Sequence, residues 1–329
     1  MPEKRKKIHL PALPKSWNHL STEELEEVNH LMRRKQQALQ TTDSDTVDRR
    51  FKLQCFLYLT GLKLLKRTAM DDKDEVVYLL RRRGITHLFE RIPMRSWQVS
   101  QWIDSGLSFL DDSQKRTMSP YQFVRVRGKK FKAPADLLTD LTYQQYSSAQ
   151  TLLSGYWNTV KLIDTLIERN ASRAAIREQL KKIHEYQCKF LAALFTPSYI
   201  EKEAVKEGKT IKVHRRVWIY DQSQINENAW RFRKVSSRMF PVMLQFFQSV
   251  QLYFSYIFPD LFTTDKGAGS KDMLTIEVET VNAVMKYQGF KDYKEVYESD
   301  SVRILGVLNT MSKDAKQIEE MNRKMKSKK

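Results

Sequence analysis

Apolar residues recur at helical spacing over most of this chain, and their phase predicts a succession of helices. From Thr22 to Leu39 the positions Leu25, Val28, Leu31, Met32 and Leu39 share one face. Residues 50–67 are denser, with Phe51, Leu53, Phe56, Leu57, Leu59, Leu62, Leu64 and Leu65. A helix apolar almost all round belongs at the centre of a core, so this one is expected to organise the N-terminal part. Shorter helices are predicted over 74–83 and 94–110, the first closed by Arg81-Arg82-Arg83 and a Gly84 stop. Further on, a long helix is predicted from Thr142 to Glu168, with Tyr146, Ala149, Leu153, Tyr156, Val160 and Ile163 in one stripe. Its partner runs from Ser172 to Phe195 and is ended by Pro197. Residues 200–223 are the least regular, and alternation of Ile211, Val213, Val217 and Ile219 allows a strand. Helices resume from Asn226 to Phe258, then over 272–287 with a Gly289 stop, and finally from Ser301, giving way to a disordered basic end at 324–329.

The sharpest local signals are two helix starts. Leu20-Ser21 is followed by Glu24 and Leu25, and Leu141-Thr142 by Gln145 and Tyr146. In each, the hydroxyl can cap the helix while the acid or amide reaches back to the capping residue's N–H, with the flanking apolar pair as a staple. Between them, at 121–133, the period changes: Tyr121-Gln-Phe-Val-Arg-Val-Arg-Gly-Lys-Lys-Phe-Lys132 alternates about a Gly-Lys-Lys turn and reads as a small basic β-hairpin. The chain is therefore read as mainly α, multi-helix bundle units with a β-hairpin insertion. The units expected are an N-terminal one over 1–120, the hairpin connector over 121–133, a central helical one over 134–265, and C-terminal helices over 271–329.

Composition narrows the class. Hydrophobic residues make up 41% and charged ones 29% of 329 residues, a globular balance. Cys55 and Cys188 both fall in apolar helical patterns and read as small buried hydrophobes in a reducing compartment. The basic start, Met1 to Lys7, precedes an apolar run too short for a secretory signal. Residues 239–259 carry no charge, but Gln245, Gln248 and Gln251 would be costly in hydrocarbon, so a buried aromatic helix is the better reading than a membrane span. A cytoplasmic protein is expected.

The net charge of +18 changes the picture more. Residues 121–133 carry five cations and no acid, and 230–238 four cations and no acid. An excess gathered this way points to an electropositive face, suited to nucleic acid, to an acidic protein partner or to solubility. The candidate contacts are Arg125, Arg127, Lys129, Lys130 and Lys132 in the hairpin, and Arg231, Arg233 and Lys234 in the later segment. Two bland readings compete: the hairpin as a solvated connector, and Trp230, Val235 and Met239 as core positions with Arg231, Arg233 and Arg238 facing water. No phosphate-binding loop, dinucleotide fingerprint, zincin motif or nucleophile elbow occurs. His184 and Cys188 are the one pair at ligand spacing, and a zinc site needs more. No catalytic residue, cofactor or metal is therefore assigned, and an enzyme is not expected.

The stretches Leu13 to Leu25 and Ala133 to Tyr146, with Phe190-Leu-Ala-Ala-Leu-Phe-Thr-Pro197 downstream, resemble uncharacterised proteins encoded among tail-morphogenesis genes of bacteriophages and prophages. The resemblance implies a virion-assembly or tail-associated role, such as a tail-assembly chaperone that binds the tape-measure protein. It would place the chain in the cytoplasm of a bacterial host, or in the virion, among phage structural or tail proteins and acting by protein–protein contacts. Self-association is compatible with it. Nucleic-acid binding through the basic segments is the alternative, and contact with a membrane through the 241–258 helix a weaker third.

Overall fold

A computed structural model describes residues 12–69, 76–84, 87, 91–111, 116–197, 202–206, 209–213, 222–262 and 273–326. The fold is mainly α. The chain forms two compact units, residues 1–116 and 117–329, and the basic hairpin lies within the second.

The first unit opens with α1 (Thr22–Ala38) and α2 (Ser44–Leu59). Ser21 caps α1 as its sequence requires: the Glu24 N–H donates to Ser21 Oγ (3.3 Å) and the Ser21 N–H to Glu24 Oε2 (2.8 Å). Leu25, Val28 and Leu31 of α1 are buried with Val47, Phe51, Cys55 and Phe56 of α2. Lys35 of α1 and Lys52 of α2 both pair with Asp48, and Lys52 also holds Asp111 at 2.8 Å.

Of three helical expectations here, one fails and two hold only in part. The apolar run over 50–67 is not one helix. α2 ends at Leu59, and Gly61 takes the left-handed conformation (φ 64°) that terminates helices. Leu62–Ala69 then forms β1. The predicted helix over 74–83 is β2 (Val76–Arg82), so Arg81, Arg82 and Arg83 close a strand. Val76-Val77-Tyr78 is β-branched and aromatic, and such residues suit a pleated surface better than a helix. The 94–110 helix divides into β3 (Ile92–Arg95) and α3 (Ser96–Gly106). The strands form an antiparallel sheet β1-β2-β3, in which Leu80 pairs with Leu64 on one side and Ile92 on the other. Local helical periodicity lost to pairing across the sheet, which buries Leu62, Leu80 and Ile92 together.

The second unit is built on α4 (Tyr143–Glu168) and α5 (Arg173–Leu194), an antiparallel pair close to the predicted bounds. Thr142 caps α4 reciprocally with Gln145, at 3.3 and 3.2 Å. At Gly155, α4 comes close against α5: a Cβ there would stand 2.6 Å from the Tyr186 ring. The helices expected over 226–258 are α6 (Gln222–Phe232) and α7 (Ser236–Ile257), separated by a turn at 233–235. α7 runs through Pro241 and buries Met239, Phe240, Met243, Phe246, Phe247, Val250 and Phe254 against Tyr146, Phe190 and Leu191. No helix among the described residues is long and apolar enough to cross a membrane.

α8 (Met273–Gln288), α9 (Tyr293–Glu298) and α10 (Ser301–Lys326) complete the unit. They join it at the second helix start: the Tyr143 N–H donates to Ser299 O (2.8 Å) and the Ser301 N–H to Leu141 O (3.0 Å). α10 continues to Lys326, two residues beyond the start of the expected disordered end. A hairpin of β7 (Lys202–Lys206) and β8 (Lys209–Val213) takes in Ile211 and Val213, while Val217, Ile219 and the Gly267–Ser270 linker lie outside the described residues.

Candidate nucleic-acid interface

The hairpin forms where alternation places it. β4 (Phe123–Val126) pairs with β5 (Lys129–Lys132), and β5 with a short β6 (Thr196–Pro197) that sequence periodicity did not reveal. Its turn is the two-residue Arg127-Gly128 rather than Gly-Lys-Lys. Both residues have positive φ (48° and 78°), the sign required of a tight turn matched to strand twist. One hairpin face is buried: Val126 and Phe131 enter the core, and Phe131 meets Phe232 of α6 at 5.1 Å between ring centres. Phe232 in turn meets Phe195 at the end of α5, 5.7 Å away. Three phenylalanines from three elements thus seat the hairpin on the helices.

The other face is cationic. Arg125 pairs across the strands with Lys130, and Phe123 with Lys132. Lys130 Nζ stands 4.0 Å from the Phe123 ring centre, and Phe123 is 46% exposed. Lys132 Nζ lies 3.4 Å from Asp140 Oδ2, so part of its charge is answered inside the unit. Lys129 is not on this face: it pairs with Val126 on the inner side, 5.8 Å from the ring centre of the buried Phe131.

The tertiary structure joins the two basic segments through Trp230. The Arg127 guanidinium sits 4.4 Å from the centre of its ring and the Arg231 guanidinium 4.7 Å from it. Cation–π contacts of this kind fix where a charge sits without neutralising it. Arg231 Nε is buried and has no hydrogen-bond partner among the described residues. Arg233 and Lys234 are exposed in the turn that follows α6. The core reading of Trp230 is therefore wrong. The break at 233–235 resets the helical phase, so Phe232 is the fully buried residue and Trp230 remains 38% exposed. Phe123 is a member of the face that the sequence does not single out, whereas the interleaving of aromatics and cations in Trp-Arg-Phe-Arg-Lys234 is the signal for Trp230.

Among the described residues, other chemistry-bearing groups do not assemble into a site of this size. His184 Nε2 lies 3.9 Å from Cys188 Sγ and its Nδ1 3.4 Å from Ser236 Oγ. Burial raises the Cys188 thiol above its ordinary pKa, outweighing the Ser236 hydrogen bond and the Arg233 charge, which both favour a thiolate. Cys55 is pushed up to about 12, again by burial. Both are protonated, packed side chains at neutral pH. No group of three or more His, Cys, Asp or Glu residues placed to hold a metal ion occurs among the described residues.

Comparison of the chain with models of protein families, with curated proteins and with solved structures finds no match in any of the three.

Proposed function

We propose that this is a non-enzymatic binding protein that holds nucleic acid by its phosphate backbone, through the outer face of β4–β5 and the end of α6. The observation that carries the reading is Trp230, with Arg127 of the hairpin and Arg231 of α6 both against its ring. Two basic segments a hundred residues apart contribute to one surface. The cation-rich hairpin segment 121–133 contains no acid. Phosphates bound there displace counterions, so affinity should fall linearly in log–log form with salt, with a slope per phosphate neutralised of about −0.9 on duplex DNA and about −0.7 on a single strand. Fluorescence anisotropy with a labelled oligonucleotide across a salt series measures this. Charge reversal at Arg125, Arg127 and Lys130 should weaken binding and flatten the slope. Binding that is absent, or insensitive to salt, overturns the reading.

A second reading rests on a different surface. At the C-terminal end of α7, Leu252, Tyr253, Tyr256 and Ile257 are exposed, Tyr256 to 76%. Their spacing places them on one side of the helix, and aromatic residues of this kind are enriched at protein interfaces. This strip supports action by protein–protein contacts; the partners proposed are phage structural or tail proteins, and the place the cytoplasm of the bacterial host or the virion. The phage setting rests on the sequence resemblance alone. A photo-crosslinker at position 256 in infected cells should capture a tail or capsid component. Failure to capture one removes the support.

A further inference from the structure

We infer that the nucleic acid bound at this face is single-stranded, held by base stacking on Phe123 and on the Arg127–Trp230 pair as well as by phosphate contacts. This rests on the backbone-binding reading above and narrows its ligand. Three observations carry it.

First, exposed aromatics stand beside cations at two places on this surface: Phe123 beside Lys130 on the outer face of the hairpin, and Trp230 against both Arg127 at the hairpin turn and Arg231. Both residues keep a large exposed fraction, 46% for Phe123 and 38% for Trp230. Phosphate binding alone has no use for exposed aromatic surface. Unpaired bases stack on such rings, and on guanidinium planes, with little regard to sequence, while a duplex keeps its bases stacked internally.

Second, the hairpin cannot serve as a ribbon inserted into a groove. Such a ribbon needs to project, whereas the inner face here is fixed by Phe131 on Phe232, and β5 is flanked by β6. What remains is a platform, four residues long in each strand. At roughly 3.3 Å per residue it is about 13 Å long, the scale on which a sheet surface stacks two or three bases.

Third, Arg127 is held in a left-handed conformation (φ 48°) that costs an arginine free energy, with its guanidinium against Trp230. Asparagine or glycine would make the turn at lower cost, but neither would place a cation and a planar stacking group at that corner.

The test uses the full chain and two probes, a labelled 20-nucleotide oligo-dT and a duplex of the same length, at one salt concentration. The single strand should bind at least tenfold tighter. Phe123→Leu should reduce single-strand affinity several-fold and leave duplex affinity unchanged, with the circular dichroism melt confirming that the fold persists. Trp230→Leu should act in the same direction, and Trp230→Phe should retain most of the affinity. Duplex binding equal to or tighter than single-strand binding, or a Phe123→Leu variant that binds oligo-dT as the parent does, overturns the single-strand inference while leaving backbone binding intact. No binding to either probe overturns both.

Discussion

Arg127 occupies a backbone position that L-residues with a side chain avoid, at φ 48° ahead of Gly128. The conformation costs about 1 kcal/mol, and Asn-Gly is the pair that such a turn favours. Arg127→Asn should therefore raise thermal stability by an amount of that order while lowering oligonucleotide affinity, since it removes a cation and a stacking plane from Trp230. Parallel melting and anisotropy measurements test both halves. A variant that is more stable and binds as before would show that the strained arginine has no part in binding. Thr142 presents the opposite case, a residue whose structural role is legible from its spacing. Thr142→Ala leaves the Gln145 N–H without its 3.3 Å partner, and should cost about 1 kcal/mol in denaturant unfolding. Ser148→Ala, inside α4, should cost less, and equal losses would contradict the capping role.

At the scale of elements, the close approach of α4 and α5 depends on Gly155. Alanine is the better helix former by about 1 kcal/mol, which alone predicts stabilisation. A Cβ 2.6 Å from the Tyr186 ring instead forces the ring or the helix to move, so Gly155→Ala should destabilise the unit, and denaturant melts would reveal the sign. α1 and α2 are joined by charge as well as by their buried apolar residues. Burial by itself would raise the Asp48 carboxyl, but the hydrogen bonds and charges of Lys35 and Lys52 outweigh it and hold the group below the usual carboxylate value. A depressed carboxylate contributes stability above its unfolded pKa and loses it as pH falls through the folded value. The first unit should therefore weaken below about pH 4, the ordinary carboxylate range, and Asp48→Asn should flatten that limb of the stability profile. A profile unchanged by the substitution would show that the ion pairs contribute nothing. In the β1–β2–β3 sheet, periodicity does not distinguish helix from strand. Residues 50–67 are apolar on nearly every side, a pattern that suits a buried helix and buried strands alike, and only Gly61 marks the change.

Across the whole molecule, all eight cationic candidates lie in the second unit, in the hairpin or at the end of α6. A fragment comprising 117–329 contains its own aromatic core and should keep the oligonucleotide affinity of the full chain. A fragment that folds but binds much more weakly would assign part of the surface to the first unit. The sequence by itself determined the mainly α character, both reciprocal helix caps, the α4–α5 pair and the position of the basic hairpin. Each of these follows from short-range spacing: 3.6-residue periodicity, a cap three residues from its partner, and strict alternation about a turn. Tertiary structure decided the rest. Whether 62–69 and 76–82 are helix or strand depends on partners that lie far along the chain, and β6 exists only because β5 lies beside it. That Arg127 and Arg231 share one indole depends on Phe131, Phe195 and Phe232 meeting in the core beneath them. Periodicity assigns a residue to a face of its own element, and only packing decides which faces of distant elements become neighbours.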